Sequence, residues 1–566
     1  MPGHLPVSAR SGRGGKAVRA GGDRPRRSPR GSTRPAAKNS APSRSLSAAD
    51  AAFLYIERKE IPLAIACVTT FDGPLPFDKF VATIASKLHR VPRYQQVVVT
   101  PSLNIGLPTW EDDPHFDIRR HVFRVALDPP GGEAELEALA GRIFSRMLDR
   151  SKPLWEIYVV DGLKDGRGAV IWRAHHALAD GISGMRLLEL FLDPTPEGSP
   201  APLEPRRRLP PKSPDAPAGG ISGVVHSTLD GLLATDKGLV DFAQALLGDP
   251  KQDGAKGLLD LLPELLLSVE RLPFNKPCGE GRKFCWAEFA MADVQAIREA
   301  VGGRVNDVIL TVLTRALARY VKLHRQSIIN RFVRIVCPVS LRKPGQEESL
   351  GNQISFMLVA LPMDVRDPAE MLRAVAARTE TMKRSGAAAL VGLLAACIAK
   401  APPPLQALFW WGLPELILPV PILNMICTSI PGPPTPLYAV GRRMLTAYPQ
   451  VPTGYDLGVN CAVDSYDGKL FFGLIADAHV ASDVNRLRDF LYVSFQELLQ
   501  AARKITPATA KKPRRQQEEA VPRARLPRQR GSKPAEAGTA EVTEPALGGS
   551  PATIAAAPGD ETKIVA

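Results

Sequence analysis

Two adjacent histidines close an apolar run in "VIWRAHHALADGISG", residues 170–184. Residues 169–174 read as a strand, which delivers His175 and His176 to its end. Asp180 lies four residues past His176, and Gly181 follows it. Three chemistries use such residue types. A metal site would take His176 and Asp180 as an i, i+4 pair, but no third ligand stands at a recognisable spacing. A serine nucleophile would be Ser183, but Gly181-Ile182-Ser183-Gly184 lacks the last glycine of a G-x-S-x-G elbow. A general base acting on a hydroxyl substrate needs one imidazole of fixed tautomer, in a cavity, with a pKa near neutral. A histidine pair that is simply hydrogen-bonded at a strand end is the structural alternative to all three.

The elements around this stretch alternate between strand and helix signals. The ordered part opens at "LSAADAAFLYIE" (46–57) and continues with a strand-like run at 61–71. A helix from Phe77 then places Phe77, Phe80, Val81, Ile84 and Leu88 on one face. Strand signals return in "PLWEIYVVDGL" and "AVIWRAHH", and a helix is expected after Gly184, in "MRLLELFL". Residues 194–220 are too rich in proline for an element interior and read as a linker; residues 221–272 look helical. From about residue 284 a second α/β stretch holds a helix in "NDVILTVLTRALARYV", with Asn306 as its expected N-cap, and strands in "RFVRIVCPVSL" and "NQISFMLVALPM". Asp467-Gly468 is a two-residue hairpin turn before "GKLFFGLIAD". Leu487, Phe490, Leu491, Leu498 and Leu499 mark a last helix. The fold class is therefore mixed α/β, in two halves joined by a linker, and a cleft between such halves is a natural substrate site.

Charge separates body from ends. The chain carries +14 over 566 residues. Residues 1–45 hold 11 Lys/Arg against one acid, Asp23, and residues 503–533 hold 11 against two, while residues 46–502 are close to neutral. Both ends are poor in aromatics and rich in small residues and proline, so they are expected to be disordered. A basic arm could meet nucleic acid or anionic lipid, but the neutral body gives no specific nucleic-acid signal. The seven scattered cysteines suit a reduced cytosolic protein rather than a disulfide framework or a zinc cluster. No secretory signal and no membrane-spanning run is expected: residues 386–399 are too short an apolar run. The apolar stretch 405–427 carries Glu415 and prolines 414, 419 and 421. It is expected to be a buried wall or a patch resting on a membrane surface, with the wall preferred.

"HHALADG" matches the HHxxxDG signature of the CoA-dependent acyltransferase superfamily. "LSAADAAFLYIE", "LDRSKPLWEIYVVDGL", "VNDVIL", "PVSLR", "LGNQISFMLVALP", "PGPPTPLY" and "SYDGKLFFGLIAD" follow in an order that resembles the bifunctional wax ester synthase/diacylglycerol acyltransferases, over residues 46–502. The resemblance implies two chloramphenicol-acetyltransferase-like domains with the active site in a tunnel between them. The expected boundaries are a basic tail at 1–45, an N-terminal domain at 46–193, a linker and helical connection at 194–283, a C-terminal domain at 284–505 and a tail at 506–566. It implies transfer of a long-chain acyl group from acyl-CoA, as substrate and without a cofactor, to diacylglycerol or a fatty alcohol at a cytoplasmic membrane face or lipid droplet. By that likeness His176 is the proton acceptor, His175 orients its loop, and Gly181 leaves room for close approach. Asp180 is a structural acid with Arg342 as candidate partner. Pro153, Leu154 and Trp155 match a second family motif and Asn306 with Asp307 a third, although core packing and helix capping explain Trp155 and Asn306 as well. Ser429-Ile430 departs from the Asn-Val that often precedes Pro-Gly-Pro in the family. Acylation of an amine, and lipid binding without catalysis, remain the alternatives.

Overall fold

Alternation within the strands decides how the chain layers. In the computed structural model residues 44–198, 269–340, 354–384, 398–399, 401–417 and 422–505 are described; residues 1–43, 199–268 and 506–566, Arg342 and residues 386–397 lie outside them. The described elements belong to one compact unit and build two six-stranded sheets and a two-stranded ribbon.

The first sheet runs β11 (Tyr438–Ala439), β12 (Arg442–Gln450), β1 (Ala64–Phe71), β6 (Gly168–His175), β5 (Trp155–Asp161), β4 (Val122–Ala126). The second runs β7 (Arg282–Ala290), β14 (Lys469–Asp477), β13 (Val459–Tyr466), β10 (Met425–Pro431), β8 (Phe332–Ser340), β9 (Ile354–Pro362). The ribbon pairs β2 (Gln96–Val99) with β3 (Thr109–Asp112). Both large sheets are mixed: β4 and β5 are parallel, as are β8, β10 and β13. The described helices are α1 (Ala48–Ile56), α2 (Phe77–Lys87), α3 (Glu133–Phe144), α4 (Gly181–Phe191), α5 (Met291–Val301), α6 (Val305–Leu323), α7 (Pro368–Arg384), α8 (Pro403–Ile417) and α9 (Val484–Ile505).

Side chains of the second sheet divide by the period of two that a pleated strand imposes. Val459, Cys461 and Val463 of β13, with Leu470, Phe472 and Leu474 of β14, pack against α6 and α9. Ala462 and Tyr466, with Phe471 and Ile475, face the other way and join the core of the first sheet. The two sheets thus share an apolar interface, and β12 crosses β14 so closely that a Cβ on Gly473 would stand 1.7 Å from Pro449 O. Only glycine fits there.

Several local expectations hold. Phe80, Val81, Ile84 and Leu88 are buried, and Asp467-Gly468, both at positive φ, closes the β13–β14 hairpin with Tyr466 opposite Lys469. Leu487, Leu491, Leu498 and Leu499 of α9 are buried.

Three readings need correction. The helix after the histidines starts at Gly181, not after Gly184, because Asp180 caps it: its carboxylate accepts the Ser183 N–H at 2.8 Å. Asn306 is not an N-cap. Arg304 occupies that position, and the carboxylate of Asp307 accepts the Arg304 backbone N–H at 2.8 Å. The stretch around 405–411 is not a buried wall, since Leu405, Leu408 and Trp411 of α8 are exposed, Trp411 by 63%.

Candidate functional site

β6 is the strand that presents the histidines, and the frame around its end is tightly hydrogen-bonded. β6 lies between β1 and β5, with Trp155 opposite Ala174 and Ala64 opposite His175. Beyond the ladder, His175 N donates to Leu154 O at 2.9 Å and His176 N donates to Leu63 O at 2.8 Å. The Pro153-Leu154-Trp155 segment therefore fixes the height of the histidine pair. Leu154 and Trp155 are fully buried, and the Trp155 indole donates to Tyr94 O at 2.8 Å.

The two imidazoles then part. His175 is fully buried; its Nδ1 accepts the Ala177 N–H at 3.0 Å, so the ring proton sits on Nε2, which lies 3.3 Å from Glu57 Oε2. Glu57 in turn accepts the Leu63 N–H at 3.1 Å and pairs with Arg150 at 2.9 Å. Burial would raise the Glu57 carboxyl, but the hydrogen bond to His175 and the Arg150 guanidinium outweigh it and hold the group down at about 2. His175 is thus committed to tying α1 to β6. His176 is half-buried and opens on a cavity, its ring stacked on Phe53 at 4.0 Å between centroids and 12° between planes.

That cavity, about 560 Å³, falls in the size range of small-molecule sites. Trp155, Trp172, Phe191 and Met185 line it from the first sheet and α4, and Phe356, Ile426, Thr428 and Ile430 line it from the second. The structure brings His176, Asp180, Gly181, Trp155 and Asn306 to this one space. His175, Pro153 and Leu154 stand behind its wall and do not line it. Ser183 is buried and does not line it either. Arg342, the candidate partner of Asp180, lies outside the described residues. Gly181 earns its small size at a contact: a Cβ there would stand 2.5 Å from Ile430 Cδ1. Asn306 reaches the cavity from the first turn of α6.

Other residues of the site are not evident from spacing. Phe53 and Glu57 end the opening "LSAADAAFLYIE", Arg150 lies in "LDRSKPLW", and their partners are far along the chain. Across β5 and β6, Arg173 pairs with Glu156 at 3.1 Å and donates to Arg146 O and Met147 O, while Lys152 meets Glu156 at 3.1 Å. From the second sheet comes Asp464, an acid inside an apolar strand, and from β12 of the first sheet comes Gln450.

Comparison with known proteins gives the family. Residues 46–309 match the wax ester synthase/diacylglycerol acyltransferase catalytic domain, and residues 350–499 match the C-terminal domain of the same family. The chain belongs to that family. It is an acyltransferase of the wax ester synthase/diacylglycerol acyltransferase type. A probable diacylglycerol O-acyltransferase of Mycobacterium tuberculosis (tgs1, strain H37Rv) is 31% identical over 453 residues, covering 78% of this chain and 93% of that protein. A putative diacylglycerol O-acyltransferase of the same strain is 29% identical over 468 residues, covering 81% of this chain and 90% of that protein. The fold is similar to that of the wax ester synthase/diacylglycerol acyltransferase from Marinobacter aquaeolei VT8, with a TM-score of 0.56 at 24% identity, covering 81% of this chain and 99% of that one. It is also similar to the first condensation domain of the calcium-dependent antibiotic synthetase, with a TM-score of 0.52 at 14% identity, over 82% of this chain and 97% of that one. The mixed α/β class and the two-part acyltransferase architecture expected from the sequence are those of this family.

Proposed function

We propose that this chain moves a long-chain acyl group from acyl-CoA to the hydroxyl of diacylglycerol, a fatty alcohol or both, with His176 as general base. The observation that carries the reading is the contrast at the end of β6: one imidazole is committed to Glu57, and the other opens on an apolar chamber between two sheets. His176 takes the acceptor's hydroxyl proton as the oxygen attacks the thioester carbonyl carbon. The tetrahedral oxyanion then collapses, the carbon–sulfur bond breaks, and the leaving thiolate recovers the proton from His176. No acyl-enzyme is required, since among the described residues lining the chamber no nucleophile stands beside an activating base. Phe53 fixes the plane of the base, Asp180 fixes the start of α4, and Gly181 lets Ile430 close the chamber.

Lipid substrates must reach the chamber from a lipid phase. Leu103 and Ile105, with Leu405, Leu408 and Trp411 of α8, form exposed apolar surface. α8 packs on α1, the helix that carries Phe53, and Arg58 stacks over the Trp411 ring at 5.7 Å and donates to its carbonyl. A peripheral contact of this face with a membrane or droplet surface would place the acceptor beside the base. Among the described residues no helix is long and apolar enough to cross a membrane.

The test is incubation of purified protein with labelled palmitoyl-CoA and, in turn, diacylglycerol and hexadecanol, with the lipid products separated. Labelled triacylglycerol or wax ester that disappears in His176→Ala is the expected result. Product formation that survives this substitution would remove the imidazole from the reaction, and no product with either acceptor would favour lipid binding without catalysis.

A further inference from the structure

The wall facing His176 carries a carboxyl group that nothing in the reaction above uses. Asn460, Ala462 and Asp464 of β13 share the face turned to the chamber. Asn460 is fully engaged: its Nδ2 donates to Pro452 O and its Oδ1 accepts the Ile426 N–H, each at 2.8 Å. Asp464 is different. It is 1% exposed, its Oδ1 has no hydrogen-bond partner, and no ion pair reaches it among the described residues. In the parallel register of β10 and β13 its partner is Ile430, the side chain that abuts Gly181. Paired residues project to the same face of a sheet, so this acid stands one strand away from the residue that touches the histidine motif. Gln450 of β12 also lines the chamber and is also buried with an unpartnered Oε1.

Burial without a facing cation pushes the Asp464 carboxyl well above its usual range. The other titratable group beside it, the Cys67 thiol, is pushed up by the same burial and then by Asp464 itself. Burial thus favours the uncharged form of both groups, and in that form the acid carries an O–H that can donate a hydrogen bond. A buried polar group left unpaired is costly, and one that lines a binding chamber is explained when a ligand pairs it.

We propose that Asp464 donates a hydrogen bond to an ester carbonyl of the acyl acceptor and so favours a glyceride over an acceptor that has only a hydroxyl. The idea rests on the transferase reading above. A fatty alcohol offers one polar group, which His176 engages, and leaves this wall unmatched. A diacylglycerol brings two ester carbonyls along with its hydroxyl. A site built to pair a polar group discriminates against a ligand that lacks it.

The decisive comparison uses two acceptors that differ only in those carbonyls: 1,2-dipalmitoylglycerol and 1,2-di-O-hexadecylglycerol, with palmitoyl-CoA as donor. For the wild-type protein kcat/KM should favour the ester acceptor by about tenfold, the worth of one such hydrogen bond. Asp464→Leu should bring the ratio close to one, and Asp464→Asn, which keeps a donor, should retain much of the preference. A wild-type ratio near one overturns the proposal without any variant. So does a preference that survives Asp464→Leu, or an equal fall with both acceptors, which would assign the acid to the shared thioester. A protein that acylates hexadecanol but neither glycerol derivative also overturns it while leaving His176 chemistry intact. Inactivity with every acceptor would instead sink the wider reading.

Discussion

The two walls of the chamber treat their acidic groups in opposite ways. On the first wall every charged side chain behind the histidines is matched: Glu57 with His175 and Arg150, Arg173 with Glu156, Glu156 with Lys152. On the second, Asp464 presents an unmatched carboxyl oxygen, beside Asn460 and Thr428. Matched groups hold a geometry, because separating them leaves a buried charge exposed to low dielectric. Unmatched groups hold nothing, and their energetic deficit is removed only when something else fills the chamber. One wall positions the base and the other is left to meet the ligand. Glu137 of α3 stands between these extremes, buried with Arg488 at 3.2 Å and the Trp286 backbone N–H as partners.

This contrast can be broken at several points. His176→Ala should lower kcat by about 10²- to 10⁴-fold, the usual contribution of a general base, with an unchanged melting temperature. The same loss in a variant that no longer melts cooperatively would place the residue among the structural groups instead. Next comes the acid limb of stability. The Glu57 carboxyl is held at about 2 in the fold against an ordinary 4.5, so its contribution is present above pH 4.5 and is lost as pH falls from there towards 2. That amounts to about 3 kcal/mol, and denaturant titrations of wild type and Glu57→Gln across this window should converge at the acid end.

Glu137 has the opposite sign. Burial lifts its carboxyl to about 7, against the pull of Arg488, so stability from this group is complete below about pH 4.5 and declines as pH rises through 7. Glu137→Gln should flatten this decline, which is worth about 3 kcal/mol at most, and a decline of equal steepness in the variant would assign it elsewhere. Asp464→Leu should leave stability unchanged or raise it by about 1 kcal/mol, where replacing a matched acid would lower it. The smallest effect concerns the outer surface. Glutamate at Leu408 and Trp411 together should weaken co-sedimentation with lipid vesicles by about tenfold, and turnover of a short soluble alcohol should fall far less. Equal losses in both assays would return α8 to the fold.

How far the sequence discloses all this depends on the distance over which each feature is decided. The Asp467-Gly468 hairpin, the apolar stripe of α2 and the delivery of His175 and His176 by a strand are local, and each is where the pattern puts it. The start of α4 is decided by one capping carboxylate, which the glycines around it obscure. The start of α6 is set by Asp307 reaching back to Arg304, so the asparagine between them is spared the capping role and turns to the chamber. Nothing local tells His175 from His176. Their difference comes from Glu57 and Phe53, more than a hundred residues away in the chain, and from Leu63, just before β1, whose carbonyl accepts the His176 N–H. Asp464 is visible in "VNCAVDSY" as a lone acid in an apolar strand, but that it lacks a partner is a property of the assembled sheets. The exposure of α8 is equally invisible in its composition, because apolar residues read the same whether they face a core or a lipid phase.

One strand carries a consequence for how the molecule can be made. β12 comes from the last quarter of the sequence yet pairs with β1, near its beginning, Ala66 lying opposite Gln450. A fragment ending before Arg442 would leave β1 as a bare sheet margin, with the amides and carbonyls of an apolar strand offered to any passing chain. Expressed alone, the piece that contains both histidines should precipitate, and adding the missing piece during refolding should keep it in solution.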